Sequence, residues 1–194
     1  MSALRASLTR IATDLDDLHA RWAVVGGLAV SARAEPRLTR DVDVAVAVID
    51  DEAAKRLIAD LRARGYELKA LVEQTAAGRL ATARLLPDDR GAIVDLLFAS
   101  SGIEDEVVRA AERILVVPGL TLPVARVAHL IALKLLARDD RHRPQDWDDL
   151  RALIAVATEK DRDDARGAVR LIAGRGYARG RNLEADLDEI LAAG

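Results

Sequence analysis

The stretch WAVVGGLAVSARAEPRLTRDVDVAVAV, residues 22–48, places two aspartates in a run of valines and alanines that is typical of a buried strand. Because side chains alternate across a strand with a period of two, Asp41 and Asp43 share one face and lie side by side. Burying unpaired carboxylates is costly, so the pair needs a compensating partner. A divalent cation is one candidate. In the alternative interpretation, Asp41 is a turn residue and the partner of Asp43 is an arginine, Arg37 or Arg40.

The cation interpretation predicts a particular kind of chemistry. Mg²⁺ prefers oxygen ligands and is usually held by one or two carboxylates together with substrate phosphates. Two such ions a few ångström apart can clamp the entering and leaving oxygens of a phosphoryl displacement. The two aspartates are therefore a candidate metal site for phosphoryl transfer.

A glycine pair precedes the acids at a predicted strand-to-helix turn. The strand runs from Trp22 to Val25, continues into Gly26 and Gly27, and gives way to a helical stretch over residues 28–34. Glycines at such a turn let the backbone approach a phosphate, and the first amides of the helix point at it with the positive end of the dipole. The turn is therefore a candidate phosphate site.

The glycine pair, a serine and an Arg-x-Thr-x-Asp-x-Asp run form one block of seven residues: Gly26, Gly27, Ser31, Arg37, Thr39, Asp41 and Asp43. This block resembles the signature of the DNA polymerase β-type nucleotidyltransferase superfamily. Its residue pattern, with Arg-x-Thr before Asp-x-Asp, is most similar to that of the AbiEii/AbiGii-type toxin nucleotidyltransferases. The resemblance implies that the two acids bind metal and that the other five residues bind the nucleotide.

A third acid stands in a later β-like run. Two such runs, residues 80–86 and 92–98, flank a segment with the composition of a hairpin turn, and Asp95 lies among the aliphatic residues of the second run. The residues alone leave open that Asp95 faces solvent or pairs with Arg84. The resemblance implies that Asp95 completes the metal site and draws the proton from the attacking hydroxyl.

A lysine interrupts an apolar helix predicted over residues 123–138. Such a lysine can extend along the helix to reach the surface. The segment that begins with it, KLLARDDRHRPQDWDDL, resembles the downstream motif of the same family. This implies that Lys134 meets the nucleotide phosphates and that Asp146 is the matching acid, with Asp148 and Asp149 as alternatives to it.

The remaining elements follow from apolar periodicity, capping residues and turn residues. Helices are predicted over residues 2–20 with Ser2 as the cap, 51–64, 102–113, 123–138 with Pro123 in the first turn, from Pro144 onward, 162–173 and 183–191, and further strands over 66–71 and 114–117. With the resemblance, the pattern predicts an α/β (α+β) fold: a nucleotidyltransferase-type mixed sheet with flanking helices. We expect a nucleotidyltransferase domain in residues 1–120 and a helical subdomain in residues 121–194 that closes the cleft.

Composition excludes several classes of protein. Aromatic residues make up only 3% of the 194 residues, so the core must be built from aliphatic side chains. The absence of cysteine excludes thiolate metal sites, disulfides and a cysteine nucleophile. The chain has no apolar run of membrane-spanning length, and its N-terminus lacks the apolar region of a signal peptide. We therefore expect a cytoplasmic protein without membrane partners.

The formal net charge of −3 gives no overall attraction to nucleic acid, so a polynucleotide partner would need a local basic patch. Between Ala165 and Leu183 the chain has five arginines and no acid. One interpretation is a solvated charged face. The other, which we adopt, is a rim that contacts RNA phosphates through Arg175, Arg179 and Arg181.

Together these features predict transfer of a nucleoside monophosphate from an NTP to a hydroxyl, with two Mg²⁺ ions, or Mn²⁺ in their place, and release of pyrophosphate. The resemblance implies a toxin of a toxin–antitoxin pair that acts on tRNA 3′ ends, with a cognate antitoxin as partner. Two alternatives remain: a small-molecule, antibiotic-type nucleotidyltransferase, and a catalytically idle binding protein on the same fold. The sequence does not specify which NTP is used.

Overall fold

Residues 3–74, 78–87, 91–138 and 144–193 are described by the computed structural model of the chain. Its strands are β1 (Arg21–Val24), β2 (Val42–Ala47), β3 (Glu67–Gln74), β4 (Arg79–Leu86), β5 (Val94–Leu97), β6 (Glu112–Val117) and β7 (Leu120–Val124). Its helices are α1 (Ala3–Asp17), α2 (Gly26–Arg33), α3 (Asp51–Ala63), α4 (Glu104–Arg109), α5 (Val127–Ala137), α6 (Pro144–Val156), α7 (Glu159–Gly174) and α8 (Leu183–Ala193).

The strands form one mixed sheet in the order β3-β4-β5-β2-β1-β7-β6. Strand β2 lies at its centre, parallel to β5 on one side and antiparallel to β1 on the other. Its valines at positions 42, 44 and 46 are buried on one face, as the alternating pattern predicts. The opposite face carries Asp43, so this acid lies on the central strand of the sheet.

Helix α1 supports the sheet, and α5 organises the helical part of the molecule. In α1, Leu8, Ile11 and Leu15 recur at three- and four-residue steps and are fully buried, and the helix packs on β1, β2 and β5. Helix α5 is apolar nearly all round because it is covered by α2, α6, α7 and α8. None of the helices in the described part of the chain has the length and apolar character needed to cross a membrane.

Most predicted elements are confirmed. The mixed α/β sheet is present, the runs around residues 80–86 and 92–98 pair as antiparallel β4 and β5, strand 114–117 lies within the edge strand β6, and α6 begins at Pro144. The Ser2 cap, the tip of the hairpin turn at residues 88–90 and part of the downstream motif, residues 139–143, lie outside the described residues.

Two predictions about elements are wrong. The helix predicted from Pro123 begins only at Val127, because residues 120–124 form β7, which pairs with β6 after a turn at Gly119 and also borders β1. The apolar residues of β7 lie directly before those of α5 in the sequence. The predicted helix therefore combined the end of a strand with the helix that follows it. The helix predicted over residues 102–113 is confined to α4, because Glu112 already pairs with Val124 in the sheet.

The division at residue 120 stays a prediction. Strand β7 extends the sheet to Val124, and helices α5 to α8 follow it without a further strand in the described residues.

Candidate active site

A row of charged side chains crosses three strands of the sheet. Asp43 of β2 is in register with Asp95 of the parallel neighbour β5, and Asp95 is in register with Arg84 of the antiparallel neighbour β4. Adjacent strands lie about 4.8 Å apart, so residues in register on one face are direct neighbours. The structure therefore brings together two of the three carboxylates that the sequence predicted as metal ligands.

Arg84 forms a two-fold ion pair with Asp95. Its Nε and Nη2 atoms donate to the two carboxylate oxygens at 2.8 and 2.7 Å. Hydrogen bonding to Asp95 is the main cause that raises the pKa of Arg84, and the charges of Asp95, Asp41 and Asp43 add to it. The pairing that the sequence left open as an alternative is confirmed, and Arg84 is a cation surrounded by three acids.

Asp41 joins the other two acids in one cleft. It lies immediately before β2, and the cleft, with a volume of about 680 Å³, is lined by all three carboxylates together with basic and polar residues: Gly27, Arg37, Leu38, Thr39, Arg40, Asp41, Asp43, Arg84, Asp95, Lys134 and Gln145. This volume falls within the range of about 300 to 1,000 Å³ that is usual for ligand sites.

Both glycines of the turn are required by side chains of the cleft. Gly26 has a φ of +61°, and a Cβ there would lie 1.9 Å from Oδ2 of Asp43. A Cβ on Gly27 would lie 2.5 Å from Nη2 of Arg37 and 2.9 Å from Oγ1 of Thr39. Any larger residue would displace these groups, so the glycine pair is explained by close approach of the site's own side chains at the start of α2.

Ser31 shapes the loop between α2 and β2. Its Oγ accepts a hydrogen bond of 3.2 Å from the backbone N–H of Arg37, one turn after the glycines. Thr39 donates to the carbonyl of Asp41 at 3.4 Å in the same loop. The structure thus gives Ser31 a positioning role for Arg37, and its predicted contact with the nucleotide phosphates stays a prediction.

Lys134 is buried beneath the cleft and does not extend to the surface. Its Nζ lies 3.0 Å from Oδ1 of Asp146 and 2.7 Å from Oδ2 of Asp149. Arg37 approaches the same Asp149, with 2.5 Å between Nε and Oδ1. Two cations and two acids therefore compensate each other and tie α5, α6 and the loop after α2 together.

This network selects among the three acids of the downstream motif. Asp146 and Asp149 are only 2% and 1% exposed, whereas Asp148 is exposed. Residues three apart on a helix share a face, so Asp149 could have been chosen with Asp146 from spacing alone. Asp149 is thus the residue that the sequence analysis left undecided and that the structure places in the network.

The three arginines predicted to contact RNA each have an intramolecular partner. Arg175 forms an ion pair with Glu106, at 2.6 Å. Arg181 donates to the carbonyl of Leu135 at 2.8 Å and to Asp186 at 2.7 Å. Arg179 donates to the carbonyl of Ser100 at 3.3 Å. Their role in RNA binding stays a prediction, and it has to compete with these contacts.

Acids outside the basic segment also face its other two arginines. Arg166 lies 3.1 Å from Asp163 and 3.2 Å from Asp188, and Arg170 lies 2.8 Å from Glu184. The run that is free of acids in sequence is therefore compensated by α8 and by the start of α7 in space.

An apolar groove leads away from Asp43 on the side of α5. It is lined by aliphatic residues, two serines and two cations: Val25, Gly26, Asp43, Thr82, Leu97, Ser100, Ser101, Leu130, Leu133, Lys134, Leu136, Ala137 and Arg179. Asp43 and Lys134 belong to both the groove and the cleft. The groove and the cleft therefore meet at these two charged residues.

The donor set of the cleft fits a hard divalent cation in kind, because Asp41, Asp43 and Asp95 supply carboxylate oxygens on one surface. Within the described ranges, however, no group of three or more His, Cys, Asp or Glu side chains is placed to ligate a single ion. Both oxygens of Asp95 are held by Arg84 instead. A cation that uses all three acids would therefore have to compete with Arg84 for Asp95.

Solved nucleotidyltransferase structures share this fold. The crystal structure of the lincosamide antibiotic adenylyltransferase LnuA with lincomycin bound is 14% identical, with a TM-score of 0.52 over 81% of this chain and 100% of that one. The solution structure of the antibiotic-resistance factor ANT(2'')-Ia is 19% identical, with a TM-score of 0.50 over 97% of this chain and 92% of that one. No curated protein matches the chain.

A family model described as nucleotidyl transferase AbiEii toxin, type IV TA system, matches residues 10–193. That span includes the glycine turn, the three carboxylates of the cleft and the buried lysine network. Since it covers nearly the whole chain, the protein belongs to the AbiEii family of nucleotidyl transferase toxins.

Proposed function

We propose that the protein transfers a nucleoside monophosphate from an NTP to a hydroxyl group, with two divalent cations, Mg²⁺ or Mn²⁺, held by Asp41, Asp43 and Asp95. The observation that carries this proposal is the register of Asp43 with Asp95 on neighbouring parallel strands, beside the Gly26–Gly27 turn. Oxygen ligands on adjacent strands and a helix N-terminus together suit a triphosphate with its cations.

In the reaction, the acceptor oxygen forms a bond to the α-phosphorus and the bond to the pyrophosphate oxygen breaks. Asp95 takes the proton of the acceptor hydroxyl, while the amides of Gly26 and Gly27 orient the β and γ phosphates. When bound, divalent cations lower the pKa of the hydroxyl and neutralise phosphate charge. Lys134 and Arg37 compensate the negative charge that develops as pyrophosphate leaves.

For the acceptor we propose the 3′ end of a tRNA, with a cognate antitoxin protein as the partner that restrains the activity in the cytoplasm. Membership of the AbiEii toxin family supports this choice. Arg175 and Arg179 remain the candidate RNA contacts, because Arg181 is held among backbone carbonyls of α5.

A small-molecule acceptor is the second candidate. A basic segment favours RNA over a small molecule, but acids or carbonyls face every arginine of this one. The apolar groove next to Asp43 offers a surface for a drug-sized molecule.

The test uses the purified protein with Mg²⁺ and each of the four labelled NTPs in turn. One set of reactions contains total tRNA, and another contains aminoglycosides and lincosamides. We expect label on tRNA with at least one NTP and none on the drugs. The Asp43→Asn variant should lose the labelling, whereas Asp60→Asn, which changes an exposed acid of α3, should keep it.

Each other outcome selects a different function. Label on a drug alone would replace the RNA acceptor by a small molecule. Label on neither would contradict the transferase reaction on these acceptors and favour the idle binding protein. Labelling that survives in Asp43→Asn would remove the proposed metal site.

A further inference from the structure

Arg84 occupies a position that a catalytic cation would also favour. It lies directly opposite Asp95 in the β4–β5 ladder, and it lines the cleft together with Asp41, Asp43 and Asp95. Its guanidinium contacts both oxygens of Asp95 at 2.8 and 2.7 Å, and an arginine side chain is not deprotonated in proteins. A permanent positive charge is therefore built into the centre of the acidic cluster.

The two-fold contact engages both oxygens of the Asp95 carboxylate. Planar guanidinium groups match carboxylates in this way, and such bonds are among the strongest that side chains form. Asp95 is only 7% exposed, so it would need another partner if Arg84 were absent. The Arg84 side chain is 49% exposed, so it can move away without unpacking the core.

On the basis of the proposed function, we infer that Arg84 is a resident counter-ion which competes with a divalent cation for Asp95. Asp95 becomes a metal ligand only when the guanidinium leaves it. The resting protein then binds one cation through Asp41 and Asp43 more readily than a second through Asp95. Arg84 thereby sets the metal affinity of the site, which makes it a positioning residue for the third carboxylate.

The test is titration of the full chain with Mn²⁺ in the absence of NTP, with the free ion followed by electron paramagnetic resonance. Arg84→Gln removes the charge and keeps a polar side chain. We expect it to tighten Mn²⁺ binding at least about tenfold, because a full positive charge within contact distance of the ligand is lost. Addition of Asp95→Asn to this variant should abolish the gain.

Two control variants isolate the cause. Arg79→Gln removes an equal charge from the same strand and should leave Mn²⁺ affinity unchanged. Arg79 pairs with Asp51 at 2.6 Å, and Asp51 is not one of the three acids of the cleft. Arg84→Lys keeps the charge without the two-fold contact, and should bind Mn²⁺ within a factor of about three of the wild type.

Thermal unfolding supplies a second readout. Without metal, Arg84→Gln should unfold at a lower temperature than the wild type, because the buried carboxylate of Asp95 has lost its partner. Mn²⁺ should raise its midpoint more than that of the wild type, since a ligand stabilises in proportion to its affinity for the native state.

Failure of this inference differs from failure of the proposed function. Mn²⁺ affinity unchanged in Arg84→Gln, or raised equally in Arg84→Lys or Arg79→Gln, would overturn the role of Arg84. Mn²⁺ binding that is indifferent to Asp43→Asn would instead overturn the metal site itself.

Discussion

A single methyl group on Gly26 would collide with the carboxylate of Asp43. Gly26→Ala should therefore destabilise the protein and weaken Mn²⁺ binding, because both the left-handed backbone and the Asp43 side chain must adjust. Gly78→Ala is the matched control, since Gly78 has nearly the same φ, +59°, and no heavy atom within 4 Å of its Cβ position. It should lose only the backbone term of about 1 to 2 kcal/mol. Urea unfolding and Mn²⁺ titration of both variants measure the difference, and equal behaviour would show that the collision is relieved without cost.

The charge of Lys134 carries a structural as well as a chemical role. Lys134→Ala should cost about 3 to 5 kcal/mol of stability, because it removes the cation that lies within 3.0 Å of the buried carboxylates of Asp146 and Asp149. Lys160→Ala, which removes an exposed lysine paired with Asp164, should leave stability unchanged within error. Urea unfolding at neutral pH checks both variants. If Lys134→Ala were as stable as Lys160→Ala, the buried network would not hold α5 to α6.

Among the elements, the side chain of Arg181 links the end of α5 to α8. Arg181 donates to carbonyls at the end of α5, those of Leu135 and Arg138, and pairs with Asp186 of α8. Arg181→Ala should therefore cost about 1.5 to 3 kcal/mol, the range for hydrogen bonds of charged groups. Arg170 is an exposed residue of α7 that pairs with Glu184 of α8. We expect Arg170→Ala to cause no measurable loss of stability.

Urea unfolding of these two variants also decides how RNA binding can be tested. An unstable Arg181→Ala variant would lose RNA binding for structural reasons alone. Labelling or binding assays should therefore rely on Arg175→Ala and Arg179→Ala in proteins shown to be folded. Equal stability of Arg181→Ala and Arg170→Ala would restore Arg181 to the set of candidate RNA contacts.

For the whole molecule, the half-buried His129 predicts a pH dependence of stability. His129 lies on α5, and burial lowers its pKa, opposed by the acids Asp164 and Glu106 and reinforced by Arg126. Because the unfolded state takes up the proton first, near pH 6.5, stability should fall as the pH falls from 7.5 to 5.5. Urea unfolding at the two pH values measures this loss.

Two histidine variants test the assignment. His129→Leu removes the half-buried titrating group and should flatten the dependence between pH 7.5 and 5.5. His19→Asn changes an exposed histidine at a positive φ of 52°, which asparagine tolerates, and should leave the dependence intact. A dependence that persists in His129→Leu would place its origin in other groups.

Local sequence patterns predicted much of the fold and part of the candidate site. Alternation identified β2 and the buried face formed by its valines, because the period of a strand depends only on neighbouring residues. Helical periodicity predicted α1, Pro144 marked the start of α6, and turn residues between two β-like runs predicted the β4–β5 hairpin. These patterns failed at residues 120–124, where β7 exists because β6 and β1 supply its partners.

Contacts between distant elements were decided only by the tertiary structure. The register of β2 with β5 set Asp43 beside Asp95, although the sequence had named both. Packing of α5 on α6 chose Asp146 and Asp149 over Asp148 as partners of Lys134. Acids from α8 and α4 faced arginines whose own segment has none, because compensation between charges depends on distance in space, which residue spacing along the chain does not encode.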